Sequence, residues 1–464
     1  MPLSAAQIDA ALAHADAHMD QSLDRLKQLI RIKSISTDPA YKDECRRAAD
    51  WLVTELSAEG FVASARPTPG HAVVVAHGPA VAGPKAVFYA HYDVQPVDPI
   101  ALWHSDPFEI TEVTQPDGEI HLVARGTSDD KGQLLTFVEA CRALRATTGT
   151  LPINLILCLE DEEESGSTNL AAFLRSAKDE LAADVALVCD TDMLDPATPS
   201  ITTMLRGLVG EEIEISCADM DLHSGMFGNA ARNPNQVLAE IIASLRNRDG
   251  SVALAGFYDD VAELDDITRD SWAKLGFDDA AYLKAVGLSI PAGEQSRSVL
   301  EQITSRPTCE INGMIGGYTG EGFKTVIPAK ASAKISFRLV SNMDPDKIRA
   351  AFRAHVRARV PADCEVSFTE HGGSPAISVP TSGKYLQQAR DALTAEWDNE
   401  AVLRGSGGSI PVAGDFKRIL GLDTLLIGYA NNDDRIHSPN EKYNLTSYRK
   451  GIRSWIRILA ALAA

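Results

Sequence analysis

Apolar positions recur at helical spacing from about Ser4 to Ile32, through Ala11, Met19, Leu23, Leu26 and Ile30, which predicts an amphipathic opening helix. Four short apolar runs then break that period: Ala86 to Ala90, Ile153 to Leu159, Val185 to Cys189 and Thr424 to Ile427. Their length and their β-branched or aromatic content predict buried strands. Each ends in, or just before, a polar cluster: His91 and Asp93, then Glu160 to Glu164, then Asp190, then the loop leading to His437. Helical patterns from Gln133 to Leu144 and from Leu170 to Arg175 lie between them, so an α/β sheet is expected. Ligands of such sheets gather at the carboxyl ends of the strands. One crevice could therefore receive all four clusters.

The middle of the chain changes style. Half-buried alternation runs through Glu211 to Cys217 and through Ala331, Ala333, Ile335, Phe337 and Leu339, with helices expected to begin near Asn233 and Asp346. Strands with one wet face and covering helices predict a smaller α+β unit. Apolar runs of the first kind resume only after Pro380, so the smaller unit is expected as an insertion. The expected division is residues 1–206 and 378–464 for the catalytic domain, and residues 207–377 for the inserted one.

Length agrees with two domains, since 464 residues exceed one ordinary hydrophobic core. Hydrophobic residues at 45% and charged residues at 23% are globular usage, which argues against disorder. A net charge of −20 argues against a nucleic-acid or anionic-membrane surface, because those partners reward clustered Lys and Arg. The seven cysteines are odd in number, scattered and never paired as CxxC, as expected of reduced and mostly buried thiols. The first twenty residues carry acids and histidines where a signal peptide needs a basic start and an apolar run. No apolar stretch approaches the ~20 residues that span a bilayer. A cytoplasmic protein without an anchor is the expectation.

Five segments carry candidate chemistry. In A-H-Y-D-V-Q-P, His91 follows a strand, and Asp93 can hold its second ring nitrogen and fix the tautomer. By itself H-x-D is weak. In A-R-G-T-S-D-D-K-G-Q, Asp129 and Asp130 precede a helix rich in Leu134, Leu135, Phe137 and Val138; an acidic helix start is the bland reading. In L-E-D-E-E-E-S-G-S, five consecutive acids follow a core strand. Such a run normally belongs to a solvated loop, but carboxylates crowded beside a buried sheet are costly unless cations compensate them. Asp190 in V-C-D-T-D-M and His437 in R-I-H-S-P-N-E-K-Y could each be ordinary loop residues. Together, two histidines and at least three carboxylates at strand mouths match the ligand inventory of a two-metal hydrolase.

These five segments, in this order and spacing, resemble the carnosinase and cytosolic nonspecific dipeptidase family of co-catalytic two-metal peptidases. Glutamate carboxypeptidase, succinyl-diaminopimelate desuccinylase and aminoacylase enzymes are related to it. The likeness runs from about Ile30 to the C-terminus and includes D-L-H-S-G around His223, G-Y-T-G-E-G-F-K-T-V-I-P from Gly317, F-R-L-V around Arg338 and G-G-S-I-P from Gly407. It implies a catalytic domain with a central mixed sheet flanked by helices, and an inserted α+β lid and dimerisation domain. It implies that His91 and Asp190 bind one metal, that Glu164 and His437 bind the other, that Asp129 bridges them and that Asp93 orients His91. The first of two adjacent glutamates is the family's base and the second a ligand. Reading back from S-G-S these are Glu163 and Glu164, though a one-residue slip would name Glu162. Where close relatives often have Gly, this chain has Asp161. Asp190 looks like the aminopeptidase or dipeptidase branch, since related carboxypeptidases and deacylases carry Glu at that position.

The expected activity is hydrolysis of dipeptides or short peptides. Two divalent ions ~3.5–4 Å apart, Zn2+ first and Mn2+ or Co2+ as alternatives, acidify a bridging water and polarise the scissile carbonyl. Glu163 acts as general base. The resemblance implies that His223 is supplied by the partner subunit of a homodimer, through the lid domain, as an oxyanion donor. Arg338 lies on the polar face of its strand, where it can grip a substrate carboxylate. Thr325, Gly408 and Ser409 match positions contacting the substrate's C-terminal side. An N-acyl amino acid deacylase or a carboxypeptidase would share the same centre, and a non-catalytic binding module is the rival from another class. No G-x-S-x-G, G-x-x-x-x-G-K-[ST] or G-x-G-x-x-G occurs.

Overall fold

The computed structural model describes residues 2–340, 342–407 and 410–464. The chain forms two compact units: Met1–Thr203 with Val379–Arg404 and Pro411–Ala464, and Met204–Ser378 with Gly405–Ile410. No helix among the described residues is long and apolar enough to cross a membrane.

The first unit is built on a mixed sheet. Its central strands, Asn154–Glu160, Lys85–His91, Val185–Val188 and Thr424–Ile427, run parallel to one another in that spatial order. These are the four apolar runs. They are continuous rather than alternating because both faces are covered, so nearly every position is buried. Antiparallel strands flank them, Val62–Arg66 and Val73–His77 on one side and Ser200–Leu205 on the other. Phe88 stacks on Phe137 of the helix Lys131–Thr148, with ring centroids 3.6 Å apart, and Trp455 of the helix Leu445–Leu462 meets both rings edge-on. Burying each such ring contributes roughly 1.5–3 kcal/mol.

The opening segment departs from expectation, since it forms two helices, Ala5–Ala17 and Met19–Ile30. The break falls at His18, whose Nδ1 lies 2.8 Å from the His14 carbonyl oxygen while its backbone leaves helical geometry (φ −113°, ψ 19°). A side chain that bonds locally to the backbone competes with the helical ladder, and apolar periodicity does not register that competition.

In the second unit, Thr308–Gly316, Lys330–Leu339, Gly207–Ser216 and Glu365–Ser374 form an antiparallel sheet in that spatial order. Alternate residues Val209, Ile213, Ile215, Ala333, Ile335 and Phe337 pack with the helices Pro234–Ala243 and Pro345–Arg357 into one core. Both helices start on a capping side chain followed by Pro: Asn233 accepts from Asn235 N–H and Asp344 from Asp346 N–H. All seven cysteines are free thiols, and five of them are buried.

Candidate metal centre

Strand register brings the polar clusters together. His91 ends its strand opposite Glu160 of the neighbouring strand, and Asp190 follows Val188, whose strand pairs on the other side. The loop after Thr424–Ile427 delivers His437, and the turn before the helix Lys131–Thr148 delivers Asp129. His91 Nε2 is 3.0 Å from Asp129 Oδ1 and 4.0 Å from Asp190 Oδ1. His437 Nε2 is 2.9 Å from Asp129 Oδ2 and 3.1 Å from Glu164 Oε2. The two oxygens of Asp129 thus face different trios, and in each trio the donor atoms lie within 4.8 Å of one another.

Asp93 supports both sides. It lies 3.3 Å from His91 Nδ1 through Oδ1, while its Oδ2 accepts from Ser36 Oγ at 2.6 Å and from Glu164 N–H at 3.0 Å. Glu163 and Glu162 diverge. Glu162 accepts from Asn169 Nδ2 and His71 N–H, a structural engagement. The carboxyl of Glu163 is pushed up to about 7 by burial, opposed by His91 and reinforced by the charges of Asp129 and Glu164.

Electrostatics fit a divalent cation in each trio. Burial alone would lower the pKa of His91, but the neighbouring Asp129 and Asp93 carboxylates raise it well above its ordinary value. The same contacts with Asp129 and Glu164 lift His437 to about 10. Burial raises the Asp190 and Glu164 carboxyls, and the neighbouring Asp129 charge adds to both shifts. Glu164 Oε1 and Asp93 Oδ1 are buried without a hydrogen-bond partner. A divalent cation in each trio would bring more positive charge than a histidine proton and suits these nitrogen and oxygen donors.

Two supporting residues, Glu441 and Asp434, and the role of a third, Asp130, escaped the sequence reading. Glu441 is wholly buried; its Oε1 accepts from the N–H groups of Gly126, Ser128 and Asp129, and its Oε2 from Arg125 Nη1. Asp130 Oδ2 accepts from His91 N–H at 3.1 Å, and Asp434 Oδ2 accepts from Ser128 Oγ at 2.7 Å. All three stand inside or beside segments already singled out. Their only signal was an acid next to a candidate ligand. His437 itself adopts a left-handed backbone (φ 63°), which L residues seldom adopt and which no spacing rule announces.

In the second unit, His223 is exposed and its Nδ1 accepts from Gly225 N–H at 3.0 Å. Thr325 is adjacent, its carbonyl accepting from Ser224 N–H, because Leu222–His223 pairs with Val326–Ile327. Arg338 is half-buried and lines a cavity with Arg206, Arg246 and Glu310. Gly408 and Ser409 lie outside the described residues.

Nitrogen and oxygen donors at the carboxyl ends of a mixed sheet, with a spare carboxylate beside them, define a metal-dependent hydrolase. Comparison places it further: the chain belongs to the peptidase family M20/M25/M40, which it matches over residues 87–461. It is 30% identical to the Cys-Gly metallodipeptidase dug1 of Schizosaccharomyces pombe, over 97% of each chain. Among solved structures it resembles human carnosine dipeptidase 1, with a TM-score of 0.79 and 26% identity over 100% of each chain. It also resembles an M20 family metallo-carboxypeptidase of Sulfolobus solfataricus, with a TM-score of 0.80 and 31% identity over 95% of this chain and 99% of that one.

Proposed function

We propose that this protein is a dinuclear metallodipeptidase in which Glu163 moves the proton. Its activity is metal-dependent hydrolysis of dipeptides, in keeping with relatives named as Cys-Gly and Beta-Ala-His dipeptidases. The observation that carries the reading is the sharing of Asp129 between two donor trios. His91 and Asp190 would hold one ion and Glu164 and His437 the other, with Asp129 offering an oxygen to each, and Asp93 orients His91. Two ions per subunit follow, Zn2+ first, with Mn2+ or Co2+ able to occupy the same nitrogen and oxygen donors. When bound they supply Lewis acidity toward the scissile carbonyl and toward water.

Glu163 takes a proton from the attacking water as its oxygen bonds to the carbonyl carbon. It returns that proton to the amine nitrogen as the C–N bond breaks, so the carboxylate ends unchanged. Burial supports this role, because a carboxyl displaced toward neutrality both accepts and releases a proton near pH 7. His223 is assigned to the oxyanion. Its Nδ1 accepts from Gly225 N–H, which leaves Nε2 as the ring nitrogen free to donate. Arg338 and Thr325, with Gly408 and Ser409, receive the substrate's C-terminal side.

The assembly proposed is a homodimer through the lid unit, with His223 acting in trans. Support comes from the edge strand Thr308–Gly316, which exposes Met314 (50%) and Ile315 (70%), an apolar edge that water does not favour. A cytoplasmic location is proposed from the free thiols. The likeness to a metallo-carboxypeptidase favours carboxypeptidase action as the second reading. The deciding experiment is amine release by metal-loaded protein from a free dipeptide, from an N-acetylated amino acid with the same C-terminal residue, and from an N-blocked dipeptide. Chelator-sensitive cleavage of the free dipeptide alone is expected; preference for either blocked compound would overturn the dipeptidase assignment.

A further inference from the structure

A second set of metal-type donors lies beneath the acidic loop. Cys45 stands in the first turn of the helix Lys42–Ala58, His71 in the loop leading into Val73–His77, and Asp161 directly after the strand Asn154–Glu160. One ligand atom from each lies within 4.8 Å of the others. His71 Nδ1 and Asp161 Oδ2 face each other at 3.7 Å. That is too long for a hydrogen bond. A nitrogen and an oxygen held at roughly 2.0–2.2 Å in a tetrahedral zinc site stand about 3.3–3.5 Å apart, so this pair has only a few tenths of an ångström to close to share one ion.

The Cys45 thiol bonds to the Asp161 carboxyl, yet one oxygen of that carboxyl is left over. The Asp161 side chain is 1% exposed, and its Oδ1 is buried with no hydrogen-bond partner. Lys131, a buried cation whose charge acts on Asp161, donates its hydrogen bonds to the carbonyls of Leu29 and Ile32. Burial raises the Cys45 thiol far above its ordinary range, and the charges of Asp161 and Asp93 raise it further. Such a thiol is inert as a nucleophile. A divalent cation would reverse that balance. The loop is tied to the acidic segment: His71 N–H donates to Glu162 Oε1 at 3.1 Å, and a Cβ at Gly70 would displace that carboxylate, standing 1.8 Å from the same oxygen. His71 is half-buried and gives an ion an entry path.

We propose that Cys45 Sγ, His71 Nδ1 and Asp161 form a third cation site, apart from the dinuclear centre and selective for borderline-soft ions such as Zn2+, Co2+ or Cd2+. On binding, the Cys45 S–H bond breaks, its proton leaves to solvent and the sulfur's electron pair goes to the ion; His71 gives its Nδ1 lone pair and Asp161 a carboxylate oxygen. The ion ties the helix Lys42–Ala58 and the His71 loop to the segment that carries Glu163 and Glu164.

The site can be read without activity, because the dinuclear donors contain no sulfur. Full-length protein loaded with Co2+ should show a near-ultraviolet thiolate-to-cobalt charge-transfer band and one more bound metal per chain than the dinuclear centre accounts for. Cys45→Ser and His71→Ala should each lose the band and that one equivalent while keeping the parent's dipeptide turnover. His71→Ala alters a partly exposed loop residue and guards against a folding defect in Cys45→Ser. A parent without the band at full loading, or a band that persists in both variants, overturns the third site. Failure of dipeptide cleavage with the band intact would count only against the dipeptidase assignment.

Discussion

Glu441→Gln tests the brace beneath Asp129. Every group that Glu441 meets is a donor: three backbone N–H groups at 3.0–3.1 Å on Oε1, and Arg125 Nη1 at 2.7 Å on Oε2. A carboxamide has one acceptor oxygen and one NH2, so in either orientation a donor confronts a donor. The less costly orientation keeps oxygen on the three N–H groups and turns NH2 toward Arg125. Arg125 is 1% exposed and then retains only the Pro96 carbonyl at 3.0 Å and the Trp103 ring face at 5.5 Å. Removing one partner of a buried ion pair costs about 3–5 kcal/mol. The comparison belongs at pH 8, because burial, opposed by Arg125, pushes the Glu441 carboxyl up to about 7. Urea unfolding of chelated protein reads the stability. Competitive metal titration reads the site, where an outer partner of this kind is worth roughly 10–100-fold in affinity. Arg125→Met combined with Glu441→Gln should recover part of the loss, since it removes the unpaired charge. A single variant within about 1 kcal/mol of the parent and with unchanged metal affinity would refute the brace, as would strict additivity in the double variant.

Glu163→Gln should retain the parent's metal content yet lose dipeptide turnover by roughly 10²–10⁴-fold; parental turnover in this variant would remove Glu163 from the mechanism. Mixing inactive Glu163→Gln and His223→Ala proteins should restore activity if His223 works in trans, because a mixed dimer assembles one complete site; no recovery after subunit exchange argues that it does not. In metal-free protein His437 is raised from 6.5 to about 10 by Asp129 and Glu164. A raised folded-state pKa gives stability that is fully present below about 6.5 and lost as pH rises through about 10. Thermal midpoints of the chelated parent and His437→Ala should therefore differ at pH 6 and converge above pH 10, and a constant gap would contradict the pairing. Phe337→Ala, which empties a fully buried ring site in the second unit's core, should cost about 3–5 kcal/mol in unfolding free energy; a loss below about 1 kcal/mol would mean that the site collapses freely.

Local pattern by itself determined the main architecture. The runs at Ala86, Ile153, Val185 and Thr424 became the central parallel strands, because strands covered on both faces must be apolar throughout. Alternation from Ala331 to Leu339 became a strand with one buried face. The candidate donors His91, Asp129, Glu164, Asp190 and His437 were legible because polar residues at strand mouths are conspicuous against apolar runs, and tertiary structure added which atoms face which. That Asp129 presents one oxygen to each histidine, that Glu162 turns to His71 and Asn169, and that Glu441 holds the Asp129 turn from 312 residues away all depend on loop backbone and long-range approach. The break at His18 and the meeting of Cys45 with His71 and Asp161 were hidden for the same reason. Hydrophobic periodicity reports which face of an element is buried, whereas the direction of a side chain in a turn, and its neighbours from distant segments, are fixed only when the whole chain packs.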